Sequence, residues 1–117
     1  MRNYRELEVW KIAIDFVTKI YNVSESFPSS EKYGIISQIT RASISISTNI
    51  AEGCSRKTAN DFARFLEISI GSCFEVETLL IISTNLNFIS IENSKGLIDE
   101  IQSLQKRISA LRSSILK

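Results

Sequence analysis

Asn49 and Glu52 are the nearest approach in this chain to a polar pair that could hold a ligand. An amide and a carboxylate stand beside Gly53, within one turn of the end of a helical segment. Such a pair can also tie up the backbone groups that a helix end leaves orphaned, with Glu52 facing Arg56 or Arg64. It makes no catalytic unit on its own. Gly71-Ser72 lies inside a helical pattern, where glycine costs about 1 kcal/mol relative to alanine. Close approach of another backbone, within the bundle or between subunits, would offset that cost; a ligand contact is the alternative. Cys73 reads as core and Cys54 as a thiol in an exposed turn. Roughly 20 Å of helix separates them, too far for a disulfide.

The residue types exclude several kinds of chemistry. The 117 residues contain no histidine and two cysteines. That removes Ser-His-Asp and Cys-His catalysis, imidazole metal sites and thiolate zinc sites. No glycine-rich nucleotide fingerprint is present. The expectation is a chain that is not an enzyme and takes no cofactor or metal. No apolar h-region opens the sequence, and no apolar run approaches the roughly 18 residues that span a bilayer. The expected location is the cytoplasm, with no membrane partner. Hydrophobic residues make up 44% and charged residues 23%, the balance of one ordinary globular domain.

Four helical segments must position these residues, at about 6–25, 30–52, 59–86 and 91–115. The first repeats Trp10, Ala13, Phe16, Val17, Ile20 and Tyr21 at helical spacing. The cluster around Pro28 breaks the pattern. In the second, Ser43-Ile44-Ser45-Ile46-Ser47 alternates like a strand, but a longer helical face from Ile35 to Ile50 outweighs it. Gly53 then reads as a left-handed helix stop. Thr58 caps the third segment, whose face runs through Phe62, Phe65, Leu66, Ser69, Cys73, Val76 and Leu80; Asn87 is its left-handed stop. In the fourth, capped by Ser90, the 4-3-4-3-4 spacing of Leu97, Ile101, Leu104, Ile108, Leu111 and Ile115 is a bundle seam. Short loops between such helices predict an all-α, antiparallel up-down-up-down four-helix bundle. Ile68, Phe74, Ile81 and Ile82 fall outside the main face of the third helix. Surplus apolar surface of that kind predicts a partner.

Three blocks carry a family resemblance. Ser26-Phe27-Pro28-Ser29-Ser30-Glu31-Lys32-Tyr33-Gly34 is similar to an inter-helix turn. Ser45 to Gly53, with Asn49, Glu52 and Gly53, is similar to the end of a second helix. Phe62 to Glu75, with Gly71, Ser72 and Glu75, is similar to a third helix. Together they resemble the bacterial four-helix-bundle proteins encoded in intervening sequences of 23S ribosomal RNA genes, relatives of the accessory proteins of diversity-generating retroelements. The resemblance implies a homopentameric ring, no catalysis and a nucleic-acid-binding role. Thr40-Arg41 stands where the family often has paired arginines, one positive charge fewer.

The 14 lysines and arginines against 13 acids leave a net charge of +1. An antiparallel bundle would sort them by height. One half would gather Arg2, Arg5, Lys11, Arg56, Lys57, Arg64, Lys106, Arg107, Arg112 and Lys117 against five acids, a net of +5, leaving −4 on the other. Of these, Arg2, Arg5, Arg56, Lys57, Arg64, Lys106, Arg107, Arg112 and Lys117 are the candidate nucleic-acid-binding residues. The expected function is a homo-oligomeric scaffold that binds RNA or DNA nonspecifically through this end. The rival is a module for a protein partner, such as a reverse transcriptase or ribosomal component.

Overall fold

Four helices account for most of the chain in the computed structural model, which describes residues 2–117. They are α1 (Glu8–Ser24), α2 (Ile35–Cys54), α3 (Ala59–Asn85) and α4 (Ile91–Ile115). Short 3₁₀ turns at Tyr4–Glu6 and Ser29–Glu31 precede α1 and α2, and no strand occurs among the described residues. Asn3 caps the first turn, its side chain accepting from the Arg5 amide at 3.1 Å, and the extended backbone of Leu7 separates that turn from α1.

Local chemistry sets the ends of the later helices. Thr58 Oγ1 accepts from the Asp61 amide and Ser90 Oγ from the Asn93 amide, each at 3.1 Å. Each bond satisfies one donor that the first turn would leave orphaned. Asn87 has φ of 62°. Its amide donates to the Thr84 carbonyl at 3.0 Å and that of Phe88 to the Ser83 carbonyl at 2.9 Å. This is the Schellman closure, with asparagine at the left-handed position usually taken by glycine.

α1 lies against α2 and α4, α2 against α3, and α3 against α4. Phe16, Ile20, Ile39, Ile46, Ile50, Leu66, Val76, Leu80, Ile101, Leu104 and Ile108 are buried between them. On α4 the seam is buried from Leu97 to Ile108 and half-buried at Leu111 and Ile115.

The alternating serines of α2 are helical. A helix can hold buried serine when the hydroxyl bonds a carbonyl one turn back. Ser43 Oγ donates to the Thr40 carbonyl at 2.9 Å and Ser47 Oγ to the Ile44 carbonyl at 3.0 Å. Between helices, Ser69 Oγ donates to the Ile46 carbonyl at 2.8 Å, and Ser72 Oγ to Ser45 Oγ at 2.9 Å. Small side chains and satisfied hydroxyls give α2 and α3 a polar seam beside the apolar core.

Several expectations are corrected. Gly53 is not a left-handed stop: no described glycine has positive φ, and Gly53 is buried inside α2. A Cβ there would lie 2.8 Å from Phe62 Cδ1 and 3.0 Å from Phe65 Cβ. Glycine is needed at this position because α3 begins directly against it. Gly71 has the reverse surroundings, with nothing within 4 Å of a built Cβ. Among the described residues, no backbone from outside its own helical turn comes within 4 Å of that position. Cys54 is buried, not an exposed thiol. Tyr21 is exposed rather than core, joining Ile14, Tyr33 and Ile44 at the surface, where Ile68, Phe74, Ile81 and Ile82 of α3 also lie, as their positions off its main face predict.

Candidate nucleic-acid interface

The basic residues must be judged by what the fold brings beside them. The Arg2 amide donates to the Cys54 carbonyl at 3.2 Å. That bond ties the N-terminal segment to the end of α2. One cavity of about 180 Å³ is lined by Arg2, Cys54, Arg56, Lys57, Thr58, Ala59, Phe62 and Ile115. The N-terminal segment, the α2–α3 turn and the end of α4 therefore meet around a single concavity. Thr58, Ala59 and Ile115 belong to it as well; sequence marks Thr58 only as a cap and Ile115 only as a seam residue.

Two of its guanidiniums are held over aromatic faces. Arg2 lies 5.5 Å from the centroid of the Phe62 ring and Arg56 lies 4.6 Å from that of Phe65. A ring face attracts a cation without neutralising it. Arg5 sits 5.9 Å over Tyr4, whose ring meets Trp10 edge-on at 5.1 Å. Among the described residues the ion pairs are Lys19–Glu100 and Arg112–Glu67. Arg2, Arg5, Arg56, Lys57, Arg64, Lys106, Arg107 and Lys117 thus carry charge with no carboxylate in ion-pair reach. The expected pairing of Glu52 with Arg56 or Arg64 is absent from that set.

Not every candidate joins the cavity. Arg112 is engaged by Glu67 at 3.5 Å, and its Nε is buried with no hydrogen-bond partner. Lys106 and Arg107 line a shallow depression along α4 with Asp99, Gln102, Ser103 and Ala110. Arg64 falls about 200° round α3 from Phe62 and is exposed. Lys117 is exposed beyond the end of α4.

Burial pushes the Cys54 thiol up from its usual 9.0, with the Arg2 guanidinium pulling the other way. Burial pushes Cys73 up to about 12. Both thiols are held as neutral groups, unsuited to nucleophilic work near neutral pH. The structural-motif residues divide. Asn49 Nδ2 donates back to the Ser45 carbonyl at 2.8 Å and to Ser45 Oγ at 2.9 Å, so it braces the Ser45–Ser72 contact and not the Gly53 turn. Glu52 and Glu75 are exposed, on different helices. No cluster of three or more metal-ligating side chains occurs among the described residues.

The opposite pole has another character. Phe27 and Phe88 bring the α1–α2 and α3–α4 loops together, with ring centroids 5.8 Å apart. Beside them a groove of about 560 Å³ is lined by Tyr21, Phe27, Tyr33 and Ile36, with Glu25, Lys32 and Arg41 among its polar residues. Tyr33 is 89% exposed. No helix of the described residues is long and apolar enough to cross a membrane.

Fold and site define an all-α, four-helix protein with a cationic concavity at one end and an apolar groove near the other. Residues 5–110 match the model of the 23S rRNA-intervening sequence protein family, and the chain belongs to that family. It is similar in fold to a crystal structure from Bacteroides thetaiotaomicron, described as a protein of unknown function from the S23 ribosomal protein family. The TM-score is 0.83 at 22% identity, over 89% of this chain and 97% of that one. No curated protein matches the chain.

Proposed function

We propose that this chain is a non-enzymatic scaffold that binds RNA or DNA nonspecifically through its basic end. In this reading the helices run antiparallel, up-down-up-down, and the chain assembles into a homopentameric ring in the cytoplasm. The observation that carries the nucleic-acid part is the convergence of Arg2, Arg56 and Lys57 on one concavity with no described carboxylate paired to them. Unpaired cations on one face attract a polyanion through its backbone, without base readout. Self-association is supported by the exposed Ile68, Phe74, Ile81 and Ile82 of α3. Aligned subunits would gather the basic ends on one rim and multiply their field.

Fluorescent RNA titrated at low and moderate salt tests the binding. Affinity should fall steeply with salt, and Arg56→Ala with Lys57→Ala, at the concavity, should weaken it. No binding at low salt overturns the reading. Light scattering at micromolar concentration tests assembly, and a monomer overturns the ring.

A second reading is favoured by the groove at Tyr21, Phe27, Tyr33 and Ile36. There the chain is an adaptor whose target is another protein. Salt-insensitive binding to a protein partner, weakened by Tyr33→Ser, would favour this reading over the first.

A further inference from the structure

The cavity at the α2–α3 turn is too small for a nucleotide and has three cations among its lining residues. Its 180 Å³ equals about six water volumes, below the roughly 300 Å³ where pockets for drug-sized ligands begin. A single tetrahedral anion with a few waters fits that space. Phe62, Ile115 and Cys54 are its apolar lining residues. The cations are Arg2, Arg56 and Lys57. Arg2 is anchored through its own amide and through the Phe62 ring, and Arg56 through the Phe65 ring. Holding a guanidinium in place beforehand lowers the ordering cost when an anion arrives. Arginine presents a planar fork that matches phosphate oxygens, and lysine adds a point charge.

We infer that this cavity takes a terminal phosphate monoester, that of a nucleic-acid strand end. The inference rests on the reading of the basic end as a nucleic-acid face, and deepens it by naming the group that enters. Charge decides monoester over diester. A monoester carries about −1.5 to −2 near neutral pH, a diester −1, and three cations match the larger charge better. Access favours it as well, since a chain end can enter a small recess while an internal phosphate must carry a nucleotide on each side. The other residues of the basic end, Lys106 and Arg107 along α4, would meet internal phosphates and contribute regardless of the end chemistry.

The test uses one short single-stranded RNA in two forms, 5′-phosphorylated and 5′-hydroxyl, with binding followed by fluorescence anisotropy at low salt. One well-held charged hydrogen bond should make the phosphorylated form bind about tenfold tighter. The double variant Arg56→Gln and Lys57→Gln should bring the two forms level. Both side chains are exposed, so the fold should survive, and circular dichroism checks it. Lys106→Ala with Arg107→Ala should weaken both forms equally and keep their ratio. Equal affinities for the two forms in the unaltered protein would overturn the cavity assignment while leaving nonspecific binding intact. Absence of binding to either form would instead overturn the proposed function. In that case a saturable shift of the Ala59 amide with inorganic phosphate alone would identify a free anion as the ligand and reject the strand end.

Discussion

The two ends of the molecule are built from similar raw material and come out differently. At one end Arg2, Arg56 and Lys57 surround a concavity, the two arginines resting on Phe62 and Phe65. At the other, Phe27 and Phe88 join two loops, and Tyr21, Tyr33 and Ile36 open a groove with both signs of charge among its lining residues. Aromatic rings support cations in the first case and present their own surface in the second. The difference follows from where carboxylates fall. Glu25 lines the groove with Lys32 and Arg41, while no carboxylate lines the small cavity. A net charge of +1 averages over this difference and says little about either end.

The largest effect that could break the contrast lies under the basic end. Phe62 packs on Gly53 and in turn carries Arg2. Gly53→Ala places a methyl 2.8 Å from the Phe62 ring. Overpacking of this kind costs about 1–3 kcal/mol, more than the helix gains by exchanging glycine for alanine. Gly71→Ala meets open space and should stabilise an isolated chain by up to about 1 kcal/mol. Thermal unfolding of the two variants should therefore move in opposite directions. A stabilising Gly53→Ala would show that the α2–α3 approach is loose and that Arg2 is not held from beneath. A destabilising Gly71→Ala that also weakens self-association would place a second copy against that bare stretch of α3.

A smaller effect separates the ends in binding. Each phosphate contact on single-stranded nucleic acid contributes about 0.7 to the slope of log affinity against log salt. Arg56→Ala with Lys57→Ala should reduce the magnitude of that slope by about 1.4. Lys32→Ala with Arg41→Ala, at the groove, should leave it unchanged. Equal losses from the two pairs would mean that nucleic acid reads the total charge, and that the fold's separation of the ends does not matter for binding.

What could be read from the chain beforehand depends on whether a signal is local. The α4 seam from Leu97 to Ile108, the Thr58 and Ser90 caps and the Asn87 stop each rest on residues within a turn or two of one another. All were legible. Gly53 was misread because glycine serves two needs, a positive φ or a close neighbour, and only the arrival of Phe62 from the next helix tells them apart. Cys54 was misread because α2 runs through Gly53 to Cys54 and carries it into the core cluster, where a turn was expected. Among the basic residues, sequence found the ones that converge but also counted Arg112, which Glu67 engages, and Arg64, which points elsewhere. The contribution of Ile115 to the cavity depends on where α4 ends relative to the α2–α3 turn. No local pattern encodes that.

The smallest effect sharpens the meaning of a charge that does have a partner. Lys19 and Glu100 join α1 to α4, and both side chains are substantially exposed, at 53% and 41%. Water screens such a pair and ordering two flexible side chains offsets part of the attraction, so its worth is about 0–1 kcal/mol. Lys19→Ala should lower stability within that range, with the loss shrinking further at high salt. α1 and α4 stay together through Phe16, Ile20, Leu97 and Ile101 in the shared core, which the substitution does not touch. A loss well above 1 kcal/mol in chemical denaturation would mean that ion pairing holds α1 in place. The unpaired cations of the other end would then be sites withheld from stability rather than surface charge that costs nothing to leave free. A loss within the range leaves burial as the force that assembles the helices, and the basic end's charges are then available for a ligand.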